Sequence, residues 1–327
     1  MRLRPFVALS VAAASAVLLA GCSGSGDATA TATASADATA AVDLCDAQVA
    51  AGDATAALTV DGEAGEASTL TFEAPLDVSE IQAQVVTEGT GDAVTAGDYV
   101  SYAITGYDAE AGDLLGTYGY EDGEMLPQQI SADSVLGQLF GCATAGTRVV
   151  AAFPATEATD TTTAASAEVY IVDLLSIVPT AAWGEEQDAV ADMPTVTLAD
   201  DGTPSITIDT TATPPTETEI ATLKEGDGYE VQDGDYVLIQ FRGARWSTGE
   251  LFDGGDTWAD GTPYTGATSD FVTGFSAALV GQTVGSQVLV VIPPADGYGE
   301  GEINEDDLVG ETIVFVIDIL GAQSATQ

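Results

Sequence analysis

Gly234-Asp-Tyr-Val-Leu-Ile-Gln-Phe-Arg-Gly243 is the stretch that decides the architecture. From Tyr236 to Phe241 it consists of strand-favouring residues alternating between two faces, with Gly-Asp ahead to turn the chain and Gly243 to close it. Glu225-Gly-Asp-Gly228 stands just upstream. The same order of features occurs once before, as Glu88-Gly-Thr-Gly91, then Gly97-Asp-Tyr-Val100, then Ser-Tyr-Ala-Ile104. Both pieces recur at an offset of 137 residues, from Glu88 to Glu225 and from Gly97 to Gly234. Downstream, Val169-Tyr-Ile-Val-Asp-Leu-Leu175 matches Val314-Phe-Val-Ile-Asp-Ile-Leu320, and upstream the Thr-rich region 58–75 loosely echoes 196–215. A repeat this long is two copies of one domain rather than a solenoid of many small units.

Inside each copy the pattern is strand after strand. Tyr99-Val-Ser-Tyr-Ala-Ile104 and Gln287-Val-Leu-Val-Val-Ile292 alternate faces, and Gly-rich turns separate the runs. One segment breaks the period. Over 270–279, Phe271, Phe275 and Leu279 fall four residues apart, on one face of a short helix that Gly281 and Gly285 then end. Each copy therefore reads as an antiparallel sheet with one short helix, an α+β arrangement in tandem. The Pro-, Thr- and Ala-rich stretch 179–194 reads as a linker, with the first domain at 43–178 and the second at 195–322.

Composition narrows the chemistry. The 327 residues include 52 acidic side chains, six basic ones and no histidine, for a formal net charge of −46, yet 46% are hydrophobic. Such a chain can build cores but repels phosphate backbones, so no nucleic-acid partner is expected. Without histidine, no Ser-His-Asp or Cys-His nucleophile and no His-ligated metal site can be assembled. Neither a metal nor a cofactor is expected. The acidity itself reads as a device for solubility, with salt screening the self-repulsion.

At the N-terminus, Arg2 and Arg4 precede an uninterrupted run of 15 apolar or small residues, 6–20, followed by Gly21 and Cys22. A basic end, a short apolar run and a small-residue cleavage site make a secretory signal peptide over 1–21. The run is shorter than the roughly 20 residues that span a bilayer. Leu19-Ala-Gly-Cys22 resembles the bacterial lipobox, which implies lipidation of Cys22 and stable anchoring by two or more acyl chains. Residues 22–42, dominated by Ala, Thr, Ser, Gly and Asp, read as a disordered tether with a reach of about 25 Å. The expected location is the cell membrane, lipid-anchored on its extracytoplasmic side, as a monomer. Export permits disulfides, and once Cys22 is set aside an even pair remains, Cys45 and Cys142. A Cys45–Cys142 bridge is expected, with two buried free thiols as the alternative.

The second copy resembles the FKBP-type peptidyl-prolyl isomerases from Glu225 to Leu320. The resemblance rests on motifs in order: Gly226-Asp-Gly228, Gly234-Asp-Tyr-Val237, Ile239-Gln-Phe-Arg-Gly243 and Gly249-Glu-Leu-Phe-Asp253, then Phe271-Val-Thr-Gly-Phe275, Gly281 and Gly285, and finally Ile292-Pro-Pro294, Gly297-Tyr-Gly299 and Val314-Phe315. It implies a half-open sheet wrapped around one helix, with a shallow apolar pocket. Phe241, Phe252, Tyr264, Phe275 and Phe315 would be its aromatic walls, with Phe271 and Val272 at the helix entrance. The family's hydroxyl that meets a ligand carbonyl falls on Tyr298, and its acidic residue beside the pocket falls on Asp253. The implied activity is isomerisation of prolyl bonds in Pro-containing exported polypeptides. That chemistry needs no nucleophile. The planar imide is held by a resonance form that separates charge, so a pocket that strips water from it favours the twisted state.

The second copy departs from the family pattern in four places, one being that no Arg aligns near Asp253 to pair with it. Phe275 replaces a Trp at the pocket floor, and Phe241 replaces a Tyr whose hydroxyl anchors the Asp. The acidic stretch 300–307 replaces an apolar flap and reads as a solvated loop. The first copy departs further: Ile104 stands for Phe241, Leu115-Gly116 for Phe252-Asp253, and no Tyr-Gly follows Phe153-Pro154. It reads as a degenerate FKBP-like domain, a spacer or a polypeptide-binding surface. The alternative for the whole chain is a non-catalytic chaperone or Pro-peptide-binding lipoprotein.

Overall fold

A computed structural model describes residues 43–157, 164–303 and 307–325. The segments read as signal peptide and tether, with Cys22, lie outside the described residues. The first sheet holds β1 (Gln82–Thr87), β2 (Tyr99–Asp108), β3 (Leu114–Tyr118), β4 (Arg148–Phe153) and β5 (Glu168–Val178). Their order is β1-β4-β5-β2-β3, with every pair antiparallel. The second sheet holds β6 (Glu219–Glu225), β7 (Tyr236–Arg245), β8 (Leu251–Asp256), β9 (Tyr264–Ala267), β10 (Gln287–Ile292) and β11 (Ile313–Gln323). Its order is β6-β10-β11-β7-β8, with β9 also on β7. Each sheet has one helix on its inner face, α1 (Val135–Phe140) and α2 (Thr273–Leu279) respectively.

The repeat extends to single irregularities. The β7–β11 ladder slips between Leu238 and Ile239, and the β2–β5 ladder slips between Ser101 and Tyr102. The β6–β10 ladder slips between Thr222 and Lys224, and the β1–β4 ladder between Val85 and Thr87. A bulge twists its strand and re-aims the side chains beyond it, so both sheets curve round their helices in the same way.

Both faces of each sheet are covered. In the second sheet, Val237, Ile239, Val290 and Ile317 pack with Phe275 and Leu279 of the helix. Alternate residues of the same strands point the other way, as the pleat requires. Leu289, Val291, Val314 and Val316 thus meet Val196 and Ile206 of a hairpin formed by Thr195–Leu198 and Pro204–Thr207. The first sheet repeats this with Val150, Val169 and Ile171 against Val60 and Leu70 of the hairpin Thr59–Asp61 and Thr69–Thr71. The loose echo between 58–75 and 196–215 is this outer hairpin.

On the outer face the copies diverge at one buried pair. In the first, Arg148 faces Asp173 and donates to it through Nε (2.7 Å) and Nη2 (2.6 Å). Its other N–H groups reach Ser68 Oγ (2.8 Å) and the Glu66 carbonyl (2.8 Å), which staples the hairpin to the sheet. The Tyr120 hydroxyl also donates to Asp173 (2.8 Å), and its burial, with the Asp173 charge beside it, pushes its pKa up to about 12. In the second, Gln287 faces Asp318 and donates to it (2.7 Å), and the Ala182 N–H donates to the other oxygen (2.9 Å).

That last bond corrects the reading of 179–194 as a linker. The Lys224 ammonium donates to the Ala182 carbonyl (3.0 Å), and Glu185–Glu186 pairs with Lys224 and Glu225 as an outermost strand. Composition conceals this because the docking runs through main-chain groups and one distant carboxylate. The helix boundary also shifts. Thr268–Asp270 is a 3₁₀ turn, and Phe271 and Val272 are extended, with ψ of 162° and 152°, so α2 starts at Thr273 instead of 270. Between the repeats, Tyr99, Leu126 and Val178 meet Leu238 and Leu320 in a shared buried cluster. Cys45 and Cys142 are joined by a disulfide, with Cα atoms 4.6 Å apart.

Candidate functional site

Six aromatic rings from different elements converge on the inner face of the second sheet. β7 supplies Phe241, β8 Phe252, β9 Tyr264 and β11 Phe315, while Phe271 and Phe275 come from the entrance and first turn of α2. Phe241 meets Tyr264, Phe275 and Phe315 edge to face, with centroids 6.2, 5.6 and 6.0 Å apart. Phe315 does the same with Phe252 (5.6 Å) and Phe275 (4.9 Å). Phe271 stacks on Phe275 at 4.7 Å and touches Tyr264 at 5.8 Å. Edge-to-face packing aims positive ring edges at negative ring faces and holds each ring in place. Phe275 and Phe315 are 3% and 4% exposed and form the floor, whereas Tyr264 is 46% exposed at the rim. Val272, the residue before α2, packs half-buried against the same cluster.

The backbone is shaped to admit these rings. A Cβ at Gly243 would lie 2.5 Å from the Phe315 ring and 2.7 Å from the Phe252 ring, so only glycine lets both settle there. The β7–β8 ladder pairs Arg242 with Asp256 and Ala244 with Leu251, so 252–255 bow out of register. The Arg242–Asp256 ion pair (2.9 Å) and the Phe241 N–H bond to Thr257 Oγ1 (2.8 Å) fix the far end of this bow.

Tyr298 and Asp253 stand apart from the ring cluster. Tyr298 follows the Pro294–Asp296 turn and is 49% exposed. Its loop is held by Gly299 N–H on the Pro294 carbonyl and Gly310 N–H on the Gly299 carbonyl, both 2.8 Å. Asp253 is exposed. Neither the Tyr298 hydroxyl nor the Asp253 carboxylate has a partner among the described residues. Sequence reasoning missed Leu308, which leaves the acidic loop to pack against this core, and Tyr229, which packs there too. A lone Leu after a run of acids was the available signal. No cluster of acidic or cysteine side chains suited to a metal ion occurs among the described residues. The arrangement is a cluster of rings, buried at Phe275 and Phe315 and exposed at Tyr264, with the Tyr264 and Tyr298 hydroxyls both without a partner among the described residues.

The corresponding surface of the first sheet has fewer rings. Ile104 and Leu115 occupy the positions of Phe241 and Phe252, and Tyr170 stands for Phe315. Among the described residues Tyr170 meets Phe153 edge to face (5.7 Å), and its hydroxyl is committed to the Glu168 carboxylate.

Comparison with known proteins bears on the second repeat. The profile described as "FKBP-type peptidyl-prolyl cis-trans isomerase" matches residues 228–320. An FK506-binding protein of Streptomyces anulatus is 32% identical over 110 residues, which cover 33% of this chain and 87% of that protein. One of Corynebacterium glutamicum is 31% identical over 108 residues, covering 33% of this chain and 89% of that protein. A solved Mycobacterium tuberculosis structure, described as a peptidyl prolyl cis-trans isomerase FKBP12, is 31% identical, with 34% of this chain and 87% of that one covered and a TM-score of 0.26. Through its second repeat, the chain belongs to the FKBP-type peptidyl-prolyl cis-trans isomerase family.

Proposed function

We propose that the second domain isomerises prolyl bonds of exported polypeptides outside the cytoplasmic membrane, and that lipidated Cys22 holds the chain there. The observation that carries this reading is the six-ring basin with its buried Phe275 and Phe315 floor. A proline ring resting on that floor brings its imide among Phe241, Phe252 and Tyr264, which exclude water. In water the planar imide is favoured because its charge-separated resonance form is solvated. In the basin that advantage falls, and the barrier of about 18–20 kcal/mol falls with it. Tyr298 donates its hydroxyl to a substrate carbonyl and holds one side of the bond while the other turns. The hydroxyl has no partner among the described residues to give up. The first domain is a degenerate copy that does not catalyse, because it lacks most of the rings and counterparts of Tyr298 and Asp253.

Prolyl isomerisation by the full chain, measured on a short Pro-peptide with a protease-coupled readout, tests this. Wild type turns over, and the double variant Tyr298→Phe, Asp253→Ala falls by about tenfold with its fold intact. A folded wild type without turnover supports the second reading, a tethered binder of Pro-containing segments. That reading draws on the unanchored Asp253.

A further inference from the structure

The two sheets end on equivalent edge strands, β1 and β6, but their edges differ. Along β6, Gln187 N–H donates to the Leu223 carbonyl and Gly184 N–H to the Gly285 carbonyl, both 2.9 Å, and Glu185–Glu186 pairs with Lys224 and Glu225. Trp183 lies against Gly285 in the same edge. The counterparts of Leu223, Lys224 and Gly285 are Val86, Thr87 and Gly146. They are matched by the shared bulge and by the equivalent bonds Gly285 N–H to Ile319 and Gly146 N–H to Leu174, each 2.7 Å. There the edge is open. No described residue donates to the Gly146 carbonyl, and β1 pairs only with β4. Only the beginning of β1 is capped, where the Ala50 carbonyl accepts the Ala83 N–H (3.2 Å). Val85 and Val86 are 38% and 46% exposed, whereas Leu223 is half-buried under its cover. The two valines open on a cleft of about 220 Å³ whose wall includes Leu58, Val60 and Val150.

The chemistry of this edge is unlike the rest of the molecule. Ile81-Gln-Ala-Gln-Val-Val-Thr87 carries no charge in a chain with 52 acidic residues. Exposed edges are ordinarily guarded by charge, proline or a covering strand, and an apolar edge with open main-chain groups accepts an added strand. A second copy of this chain fits poorly. Self-pairing along the open stretch would bring together two molecules of net charge −46 at an edge that ends in Glu88. That charge and the exposed Glu88 at the end of the open stretch suit a strand that is apolar at its centre and basic at its ends.

We infer that the open edge of β1, over Val85 to Glu88, takes up an extended polypeptide segment by strand addition, with apolar residues facing the cleft and Lys or Arg meeting Glu88. The first domain thereby holds a client whose prolyl bonds the second domain turns over. That second clause rests on the isomerase reading, while the edge site does not.

The test uses the full chain and a labelled proline-free peptide, Lys-Lys-Val-Thr-Val-Thr-Val-Lys-Lys, read by fluorescence anisotropy and amide hydrogen exchange. The peptide should bind saturably and slow exchange at Val86 and Thr87. N-methylation of its alternate backbone amides should weaken binding by about tenfold, and so should Val86→Lys, while turnover of a short Pro-peptide stays unchanged. No binding, equal binding of the N-methylated peptide, or protection confined to other segments would overturn the proposal. Peptide-free self-association that Val86→Lys abolishes would overturn it in favour of a second copy. If Val86→Lys does not fold, the exchange map and the N-methylated peptide still decide. Lost Pro-peptide turnover with edge binding intact would sink the isomerase reading alone.

Discussion

Phe315 touches Phe241, Phe252 and Phe275 while 4% exposed, so it is floor to the basin and keystone to the core at once. Phe315→Ala should lower unfolding free energy by about 3–5 kcal/mol and abolish turnover, as chemical denaturation and a Pro-peptide assay would report. Asp318 gives a prediction of opposite kind. Burial raises its carboxyl pKa above the ordinary value, so the folded protein is penalised while Asp318 is ionised, and the penalty lifts as pH falls toward the unfolded value. The stability of wild type relative to Asp318→Asn should therefore improve from pH 7 down toward the ordinary carboxylate range. A constant difference across that window would contradict it. Five of the six ring residues were legible in the sequence because each falls in an ordered run of motifs, whereas Tyr264 lies in none of them. Arg148 and Asp173 were not, because a polar residue alternating with valines reads as the solvent side of a strand, and the hairpin that covers that side is too short to announce itself.

At the scale of elements, the strands and their doubling could be read from alternation and from the 137-residue offset. The start of α2 could not be read as well, since the turn and extended pair before it keep Phe271 within reach of Phe275 without helical backbone. The segment from Ala182 to Gln187 was hidden altogether, because its attachment to β6 depends on peptide groups that every sequence has. A second domain begun at Pro194 loses that strand and strips Asp318 and Lys224 of Ala182. Compared with one begun at Pro179, it should be less stable by about 1–3 kcal/mol in urea unfolding. Equal midpoints would mean that the strand merely rests on the edge.

Across the whole molecule, 52 acids against six bases leave long-range repulsion as a standing load on the fold. Two buried or half-buried ion pairs, Arg148–Asp173 and Arg242–Asp256, occupy half of the four cations outside the N-terminal segment. Monovalent salt raised from about 0.01 to 1 M shortens the screening length from about 30 to 3 Å, so the unfolding temperature should rise across that range. A flat or falling profile in calorimetry would show that the charges lie far enough apart to ignore one another. The Cys45–Cys142 bond has a mechanical consequence. It links the start of the described chain to the residue two beyond α1, across a separation of 97 residues. A pull applied ahead of Cys45 therefore enters the protein at the helix, and the outer hairpin and β1 to β3 are shielded from tension. At about 3.3–3.6 Å per residue, the bridge withholds roughly 300 Å of slack that would otherwise pay out. Under load the first domain behaves as a short, stiff link, until a reductant turns it into a long one.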